Sequence, residues 1–538
     1  MGVCPDCGHH HLLSAAERIA LLTDDGSFTH ASVTVAATDA LGFTDSQPYP
    51  ARLARARAAT GLDDAVMAGT ATINGRAVAI AAMDFRFMGG SLGTAVGEMI
   101  TLTAETALGR RIPFVVVTAS GGARMQEGLL ALLQMAKVSQ AIAAVREAGL
   151  LTISVVTDPT YGGVAASFAT NCDVVVAEQG ARMGFAGPRV IEQTIRQKLP
   201  PGFQTAEYLL SHGFVDAVQP RHALAGWLSS LLAATGASSA AGRRRVPAGG
   251  SPIITDPALL PAANPWDVVS AARNAGRPTT LDYLGGAFTG FVELHGDRVG
   301  SDCPAIVAGF ALLDGQPVAV IGHQKGHSTE ELVARNFGMP MPAGYRKALR
   351  VMRLAAALRV PIATIVDTPG AYPGADAEAG GQAAAIAGSI LGMFDLRTPV
   401  VAVVTGEGGS GGALALMVAD RVLMLERSTY SVISPEGCSA ILWGSAEAAP
   451  DAAGALRITA RDLLAMGLVD GVVPEPAGGA TADSRATIEA FGRAVAATVA
   501  ELGGIDGAGL VAMRRQRFRD IGTATLTFGA EIPEAEAV

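Results

Sequence analysis

Val401-Ala-Val-Val-Thr405 runs on into Gly406-Glu-Gly-Gly-Ser-Gly-Gly412, and the chain carries a second version of this stretch at Ile153-Ser-Val-Val-Thr157, leading to Gly162-Gly163. A short, unbroken apolar run rich in valine reads as a strand buried on both faces, as in a parallel sheet. Glycines directly after it read as a turn into a helix. The two strands lie 248 residues apart, and the glycine pairs 249 apart.

Working outward, the same spacing recurs. Phe114–Thr118 with Ser120-Gly121-Gly122 matches Ile362–Val366 with Thr368-Pro369-Gly370 at 248 residues, and Asn74-Gly-Arg-Ala-Val-Ala-Ile80 matches Asp314-Gly-Gln-Pro-Val-Ala-Val320 at 240. Asp173 and Asp420, Pro188 and Pro435, and Gly213-Phe-Val-Asp216 and Gly467-Leu-Val-Asp470 continue the series. An ordered set of matches predicts two copies of one fold. Strands alternating with helical segments such as 125–145 place that fold in the α/β class, built from right-handed βαβ units. The expected division is a first domain over 1–235, a Gly/Ser/Ala/Pro-rich linker over 236–262 that includes Arg243-Arg-Arg245, and a second domain over 263–538 with a marginal tail beyond Asp520.

Composition narrows the function classes. Of 538 residues, 49% are hydrophobic and 17% charged, the profile of a chain that buries a large core. A formal net charge of −9 argues against sequence-independent nucleic-acid binding, which needs a basic surface. Unbroken apolar runs fall far short of the ~20 residues that cross a membrane. Five irregularly spaced cysteines and no apolar leader lead us to expect a reducing cytoplasm.

The glycine turns are the chemical signal. Backbone N–H groups at a glycine turn before a helix point out from a positive helix end and can hold an anionic oxygen. Neither Ser167 nor Ser410 sits in a Gly-x-Ser-x-Gly elbow. Gly406, Gly408 and Gly411 have the Gly-x-Gly-x-x-Gly spacing, but Asp420 comes too soon to serve as the ribose ligand of a dinucleotide site.

Longer motifs carry a resemblance. Cys4-Pro-Asp-Cys7, Phe87-Met-Gly-Gly-Ser91, Ser120-Gly-Gly-Ala-Arg-Met-Gln126, Asp158-Pro-Thr160 and Gly184-Phe-Ala-Gly-Pro-Arg-Val-Ile-Glu-Gln193 resemble the beta subunit of the bacterial acetyl-CoA carboxylase carboxyltransferase family. Gly322-His-Gln-Lys-Gly326, Arg335-Asn-Phe-Gly-Met-Pro340, Gly344-Tyr-Arg-Lys-Ala-Leu349, Asp367-Thr-Pro-Gly-Ala-Tyr-Pro-Gly374 and Ile433-Ser-Pro-Glu-Gly-Cys438 resemble its alpha subunit. The resemblance implies two tandem crotonase-like domains (ββα-superhelix) in a fused chain. It also implies carboxyl transfer from carboxybiotin to acetyl-CoA, giving malonyl-CoA, the first committed step of fatty acid synthesis. Related carboxyltransferases for propionyl-CoA, and decarboxylases working in the opposite direction, share the duplicated fold.

By position in the family motifs, the backbone N–H groups of Gly121 and Gly122 are expected to hold the thioester oxygen. Those of Gly411 and Gly412, with Ala413, are expected to hold the ureido oxygen of biotin. Arg124 and Arg189 are expected near CoA phosphates, and Lys325, Arg335 and Lys347 along the approach for CoA or biotin. Each of these five has a competing reading as a salt-bridged or solvent-facing residue. His323 is expected to be packed and hydrogen-bonded, Asp367 to be a turn residue, and Asp376 and Glu378 to lie on the surface.

Family beta subunits carry a four-cysteine zinc ribbon, and structural zinc needs four ligands. Only Cys4 and Cys7 are present, half of such a site, so residues 1–11 are expected to be a ribbon remnant. Biotin is expected as a co-substrate on a separate biotin carboxyl carrier protein, charged by a separate biotin carboxylase. The family's pairing of beta and alpha halves across active sites implies a homodimer.

Overall fold

The computed structural model describes residues 2–33, 35–196, 198–236 and 251–523. Most of the predicted linker, including Arg243-Arg-Arg245, lies outside them, as does the tail from 524 onward.

The first half forms an eight-stranded sheet from β1 (Thr29–His30), β2 (Val66–Ile73), β3 (Arg76–Met83), β4 (Phe114–Ser120), β5 (Thr152–Tyr161), β6 (Val174–Glu178), β7 (Met183–Gly184) and β8 (Ala217–Gln219). The second half repeats it with β9 (Thr289–Glu293), β10 (Ile306–Leu313), β11 (Gln316–His323), β12 (Ile362–Thr368), β13 (Val400–Gly409), β14 (Arg421–Leu425), β15 (Thr429–Ser431) and β16 (Gly471–Val473). The strand orders are β1-β2-β3-β4-β5-β6-β8 and β9-β10-β11-β12-β13-β14-β16, with β7 added to β5 and β15 to β13. Duplication is thus visible in the connectivity itself.

Local sequence explains the pattern. β2–β3 and β10–β11 are antiparallel hairpins closed by Asn74-Gly75 and Asp314-Gly315, all four residues left-handed. That is the two-residue turn which Asn-Gly and Asp-Gly favour. The strands that follow pair in parallel, and every residue of β4 and of β12 is buried. No alternation of polar and apolar residues is possible when both sheet faces are covered.

The structure corrects the register of the repeat at one place. Tyr161 and Gly409 end β5 and β13, so the left-handed Gly162 lies opposite the left-handed Ser410 and Gly163 opposite Gly411. The spacing therefore stays at 248 through the helix start. Matching glycine to glycine had shifted it by one.

The expected linker is also shortened. Ile254 exchanges backbone hydrogen bonds of 2.8 and 2.9 Å with Val472 at the edge strand β16, and Leu260 is buried, so 251–262 belong to the second half. The two halves share a core in which Ile80 and Val115 of the first sheet, Leu228 and Leu231 of helix Leu224–Ala234, and Phe310 and Ile321 of the second sheet come together. Polar contacts tie the same boundary: the buried Asp216 pairs with Arg298 and Arg350, and its carbonyl accepts the His295 N–H at 3.0 Å.

The helical segment expected over 125–145 is more apolar than unbroken runs alone suggest. Among the described residues, the segment Met125–Glu147 is long and apolar enough to cross a membrane by length and composition, with 33% of its most apolar window buried. It packs along helix Thr94–Arg110 and leaves Met125, Leu129, Leu132 and Leu133 exposed at its beginning.

Candidate functional site

Each half brings a strand-end turn against a helix start, but the free donors differ from those expected. After β4, the Gly121 N–H donates to the Gly89 carbonyl at 2.8 Å and the Gly122 N–H to Ser120 Oγ at 3.0 Å. Both expected donors are therefore spent. The second half repeats the clamp, with the Gly370 N–H donating to Thr368 Oγ1 at 3.1 Å. The next N–H groups, of Ala123 and Ala371, have no acceptor among the described residues. Gly122 and Gly370 adopt φ of +124° and +154°, a backbone that lets the turn present the following amide.

The helix starts supply the facing donors. The Gly162 N–H is taken by the Phe185 carbonyl at 3.0 Å, which leaves Gly163 as the first free amide of helix Gly162–Ala165. In helix Ser410–Leu414 the N–H groups of Gly411 and Gly412 likewise have no acceptor among the described residues. Ala413 is fully buried behind them.

Glycine is required for this approach. A Cβ on Gly412 would lie 2.3 Å from Ala371 N and 2.6 Å from the Gly370 carbonyl carbon. A Cβ on Gly162 would lie 3.0 Å from Gly122 Cα, and one on Gly122 would lie 4.0 Å from Gly163 N. Ala123 with Gly163, and Ala371 with Gly411 and Gly412, thus form two equivalent sets of unengaged amides. Each set can hold one anionic oxygen.

Of the charged candidates, Lys325 pairs with residues of β12 and β13, the strands that lead to the second set. Lys325 Nζ lies 2.8 Å from Asp367 Oδ1 and 3.0 Å from Glu407 Oε2, and Asp367 also accepts the Glu407 N–H. Burial disfavours the charge on Lys325, but Asp367 and Glu407 outweigh it and hold its pKa above the ordinary lysine value. Asp367 is therefore an ion-pair centre, a larger part than the turn residue expected. Asp376 and Glu378 are exposed, as expected.

His323 is packed, though not hydrogen-bonded. It is fully buried at the end of β11, and neither ring nitrogen reaches hydrogen-bond geometry, although the backbones of Ile365 and Gly412 face it. Burial, with Lys325 adding to it, depresses its pKa to about 3. The folded state thus refuses a proton that the unfolded chain takes up near pH 6.5. Stability contributed by the neutral ring is complete above pH 6.5 and is lost as pH falls from there toward 3, with a slope of up to about 1.4 kcal/mol per pH unit. His323→Gln is expected to flatten the fall in unfolding free energy between pH 6.5 and 4.5; denaturant titrations at several pH values check it, and an unchanged slope contradicts it.

Comparison with known proteins places this geometry. A family model described as acetyl co-enzyme A carboxylase carboxyltransferase-like matches residues 258–522, and a carboxyl transferase domain model matches 13–200. The acetyl-coenzyme A carboxylase carboxyl transferase subunits beta/alpha of Salinispora arenicola are 61% identical over 534 residues, covering 98% of this chain and 94% of that protein. The chain belongs to the acetyl-CoA carboxylase carboxyltransferase family. The alpha subunit of this carboxyltransferase from Thermus thermophilus is 56% identical over 258 residues, 48% of this chain and 82% of that subunit. In fold, the chain is similar to the transcarboxylase 12S structure with methylmalonyl-coenzyme A bound (TM-score 0.72, 22% identity, 92% of this chain and 90% of that one).

Within this carboxyltransferase the remaining expected residues sort by burial. Arg124 is 1% exposed and is enclosed by Asp64, Glu127, the Tyr49 hydroxyl and Ser91, with no face left for a CoA phosphate. Lys347, also 1% exposed, donates to the Cys303 carbonyl at 2.9 Å and pairs with Asp302 at 2.6 Å. Both are structural. Arg335 caps helix Thr329–Ala334 and donates to the Pro304 carbonyl at 2.7 Å, remaining partly exposed. Arg189 opens helix Pro188–Ile195, and its side chain lies outside the described part of the structure.

Cys4 and Cys7 sit on a small hairpin in which the Cys4 N–H donates to the His9 carbonyl and the Gly8 N–H returns to Cys4. Backbone N–H groups of Cys7 and Asp6 lower the Cys4 thiol pKa. Among the described residues no cluster of three or more His, Cys, Asp or Glu side chains could hold a metal, and His10 is already bonded to Glu178 at 2.9 Å. These residues do not complete a zinc tetrahedron. Sequence reading missed Ala123, Gly163 and Ala371 as candidate donors. Only Gly163 carried a signal, as a landmark of the repeat.

Proposed function

We propose that this chain transfers a carboxyl group from carboxybiotin to acetyl-CoA, forming malonyl-CoA, with one set of free amides for each of two oxyanions. The observation that carries the reading is the duplication of the site itself, Ala123 with Gly163 and Ala371 with Gly411 and Gly412. Carboxylating a thioester at its α-carbon puts negative charge on the thioester oxygen, and the first set offers two unengaged amides suited to such an oxygen. Carboxybiotin supplies the carboxyl group and a ureido oxygen that takes charge as the carboxyl leaves. The second set is suited to that oxygen, since the N–H groups of Ala371, Gly411 and Gly412 have no other acceptor among the described residues. The amides are fixed by backbone and need no reorganisation as charge develops.

A separate biotin carboxyl carrier protein and biotin carboxylase supply the charged biotin in this reading. Two copies of the chain complete the sites. Support for self-association comes from apolar side chains left uncovered, Met125, Leu129 and Leu133 after the first turn and Ile441, Leu442 and Trp443 at the end of helix Pro435–Leu442. Burying such patches between copies is favourable.

The test is the reverse reaction with sedimentation in parallel. The purified chain with malonyl-CoA and biocytin is expected to form acetyl-CoA, and to sediment as a dimer. Failure to turn over any acyl-CoA with biocytin overturns the functional reading, and an active monomer overturns the shared sites.

A further inference from the structure

Phe185 lies beside the first set of free amides with most of its ring uncovered. The residue is 77% exposed, and its carbonyl accepts the Gly162 N–H at 3.0 Å. Gly184, the residue before it, is registered on Tyr161, the last residue before the glycine pair. The repeat supplies the counterpart: Val432, 74% exposed, follows Ser431, which is registered on Gly409 just before Ser410-Gly411. Each half thus sets one large apolar side chain next to its own free amides.

The segment that carries Phe185 is clamped. Gln204 Nε2 donates to the Ala186 carbonyl at 3.0 Å, the Met183 N–H donates to the Gln204 carbonyl at 3.0 Å, and a Cβ on Gly184 would lie 2.1 Å from Gln204 Nε2. The backbone that carries the exposed ring is therefore held in place. A cavity of about 370 Å³, lined by Phe185, Ala165, Ala166 and Phe214, lies on the other side of Phe185, at the end of helix Gly162–Ala165.

We infer that Phe185 is the wall against which the acyl group packs, and so the residue that limits acyl length. This rests on the first set of amides holding the thioester oxygen. Covalent geometry then places the α-carbon and its substituents within a few ångströms of that oxygen. Gly162, tied to Phe185 by its own N–H, is the residue next to the donor Gly163. An acetyl group leaves the ring where it stands, whereas each further methylene must find room against it.

The experiment uses the full chain with Phe185→Ala and Phe185→Leu, in the reverse reaction with biocytin and either malonyl-CoA or methylmalonyl-CoA. In that reaction the bond from the α-carbon to the carboxyl breaks, the carboxyl joins the biocytin nitrogen, and the nitrogen's proton ends on the α-carbon. For Phe185→Ala the methylmalonyl-CoA to malonyl-CoA ratio of kcat/KM is expected to rise about 10-fold or more, the scale on which a hydrophobic pocket discriminates one methylene. Phe185→Leu should give a smaller rise, with sedimentation unchanged in both. An unchanged ratio overturns the inference. So does an equal fall with both substrates accompanied by a change in sedimentation, which would make Phe185 a contact between copies. A wild-type chain inactive with malonyl-CoA would remove the carboxyl-transfer reading itself, before any variant is compared.

Discussion

Gly412→Ala is expected to lower biotin-dependent turnover by about 10²- to 10³-fold, the cost of removing one preorganised oxyanion donor. Its Cβ would sit 2.3 Å from Ala371 N and 2.6 Å from the Gly370 carbonyl carbon, so the intruding atom meets backbone and cannot be relieved by rotating a side chain. The helix start and the turn after β12 must move apart, and the three free amides of the second set, of Ala371, Gly411 and Gly412, lose their common aim. Gly122→Ala is the informative contrast. Nothing lies closer than 3.6 Å to its Cβ, but its φ of +124° is one that alanine rarely adopts, and its own N–H is already spent on Ser120. That variant should act through backbone strain of about 1–3 kcal/mol and lose stability along with activity. The reverse reaction, with thermal unfolding in parallel, separates the two. A Gly412→Ala chain that keeps near-normal turnover while folded would remove the second set of amides from the mechanism.

How much of this was legible beforehand depended on whether a residue's work is done by its identity or by its surroundings. The strands Ile153–Thr157 and Val401–Thr405 were readable because burial on both faces demands an unbroken apolar run, and that demand shows in the sequence. Asn74-Gly75 and Asp314-Gly315 were readable because a two-residue hairpin needs left-handed backbone. The amides were harder. Any residue but proline has an N–H, so what distinguishes Ala123 from Gly121 is whether that group is already engaged. Gly89 and Ser120, which engage the neighbours, are known only after folding. Matching glycine to glycine failed at Ser410 for a related reason: the repeat preserves a left-handed conformation there, and a serine occupies it.

Arg124→Ala is expected to destabilise the first half by about 3–5 kcal/mol, the cost of leaving buried carboxylates without their partner. Asp64 and Glu127 are 2% and 3% exposed, and both depend on the Arg124 guanidinium, which also lies over the Phe87 ring at 5.6 Å. Burial opposes the arginine's charge, but Asp64 more than offsets it and raises the pKa above the ordinary arginine value. The charge is therefore permanent in the folded wild-type chain. The same network joins the turn to the first site: the Arg124 N–H donates to the Leu92 carbonyl at 2.8 Å, and Glu127 accepts the Thr94 N–H at the start of helix Thr94–Arg110. Thermal unfolding should therefore show a midpoint lowered by on the order of 10 °C, while KM for malonyl-CoA, measured well below that midpoint, stays near the wild-type value. A variant of normal stability with KM raised tenfold would reverse the assignment and return Arg124 to the CoA phosphates. Arg124→Lys sharpens the comparison, since a lysine keeps the charge a phosphate needs but cannot span Asp64 with two donors while reaching Ser91 and Tyr49. It should rescue little of the lost stability.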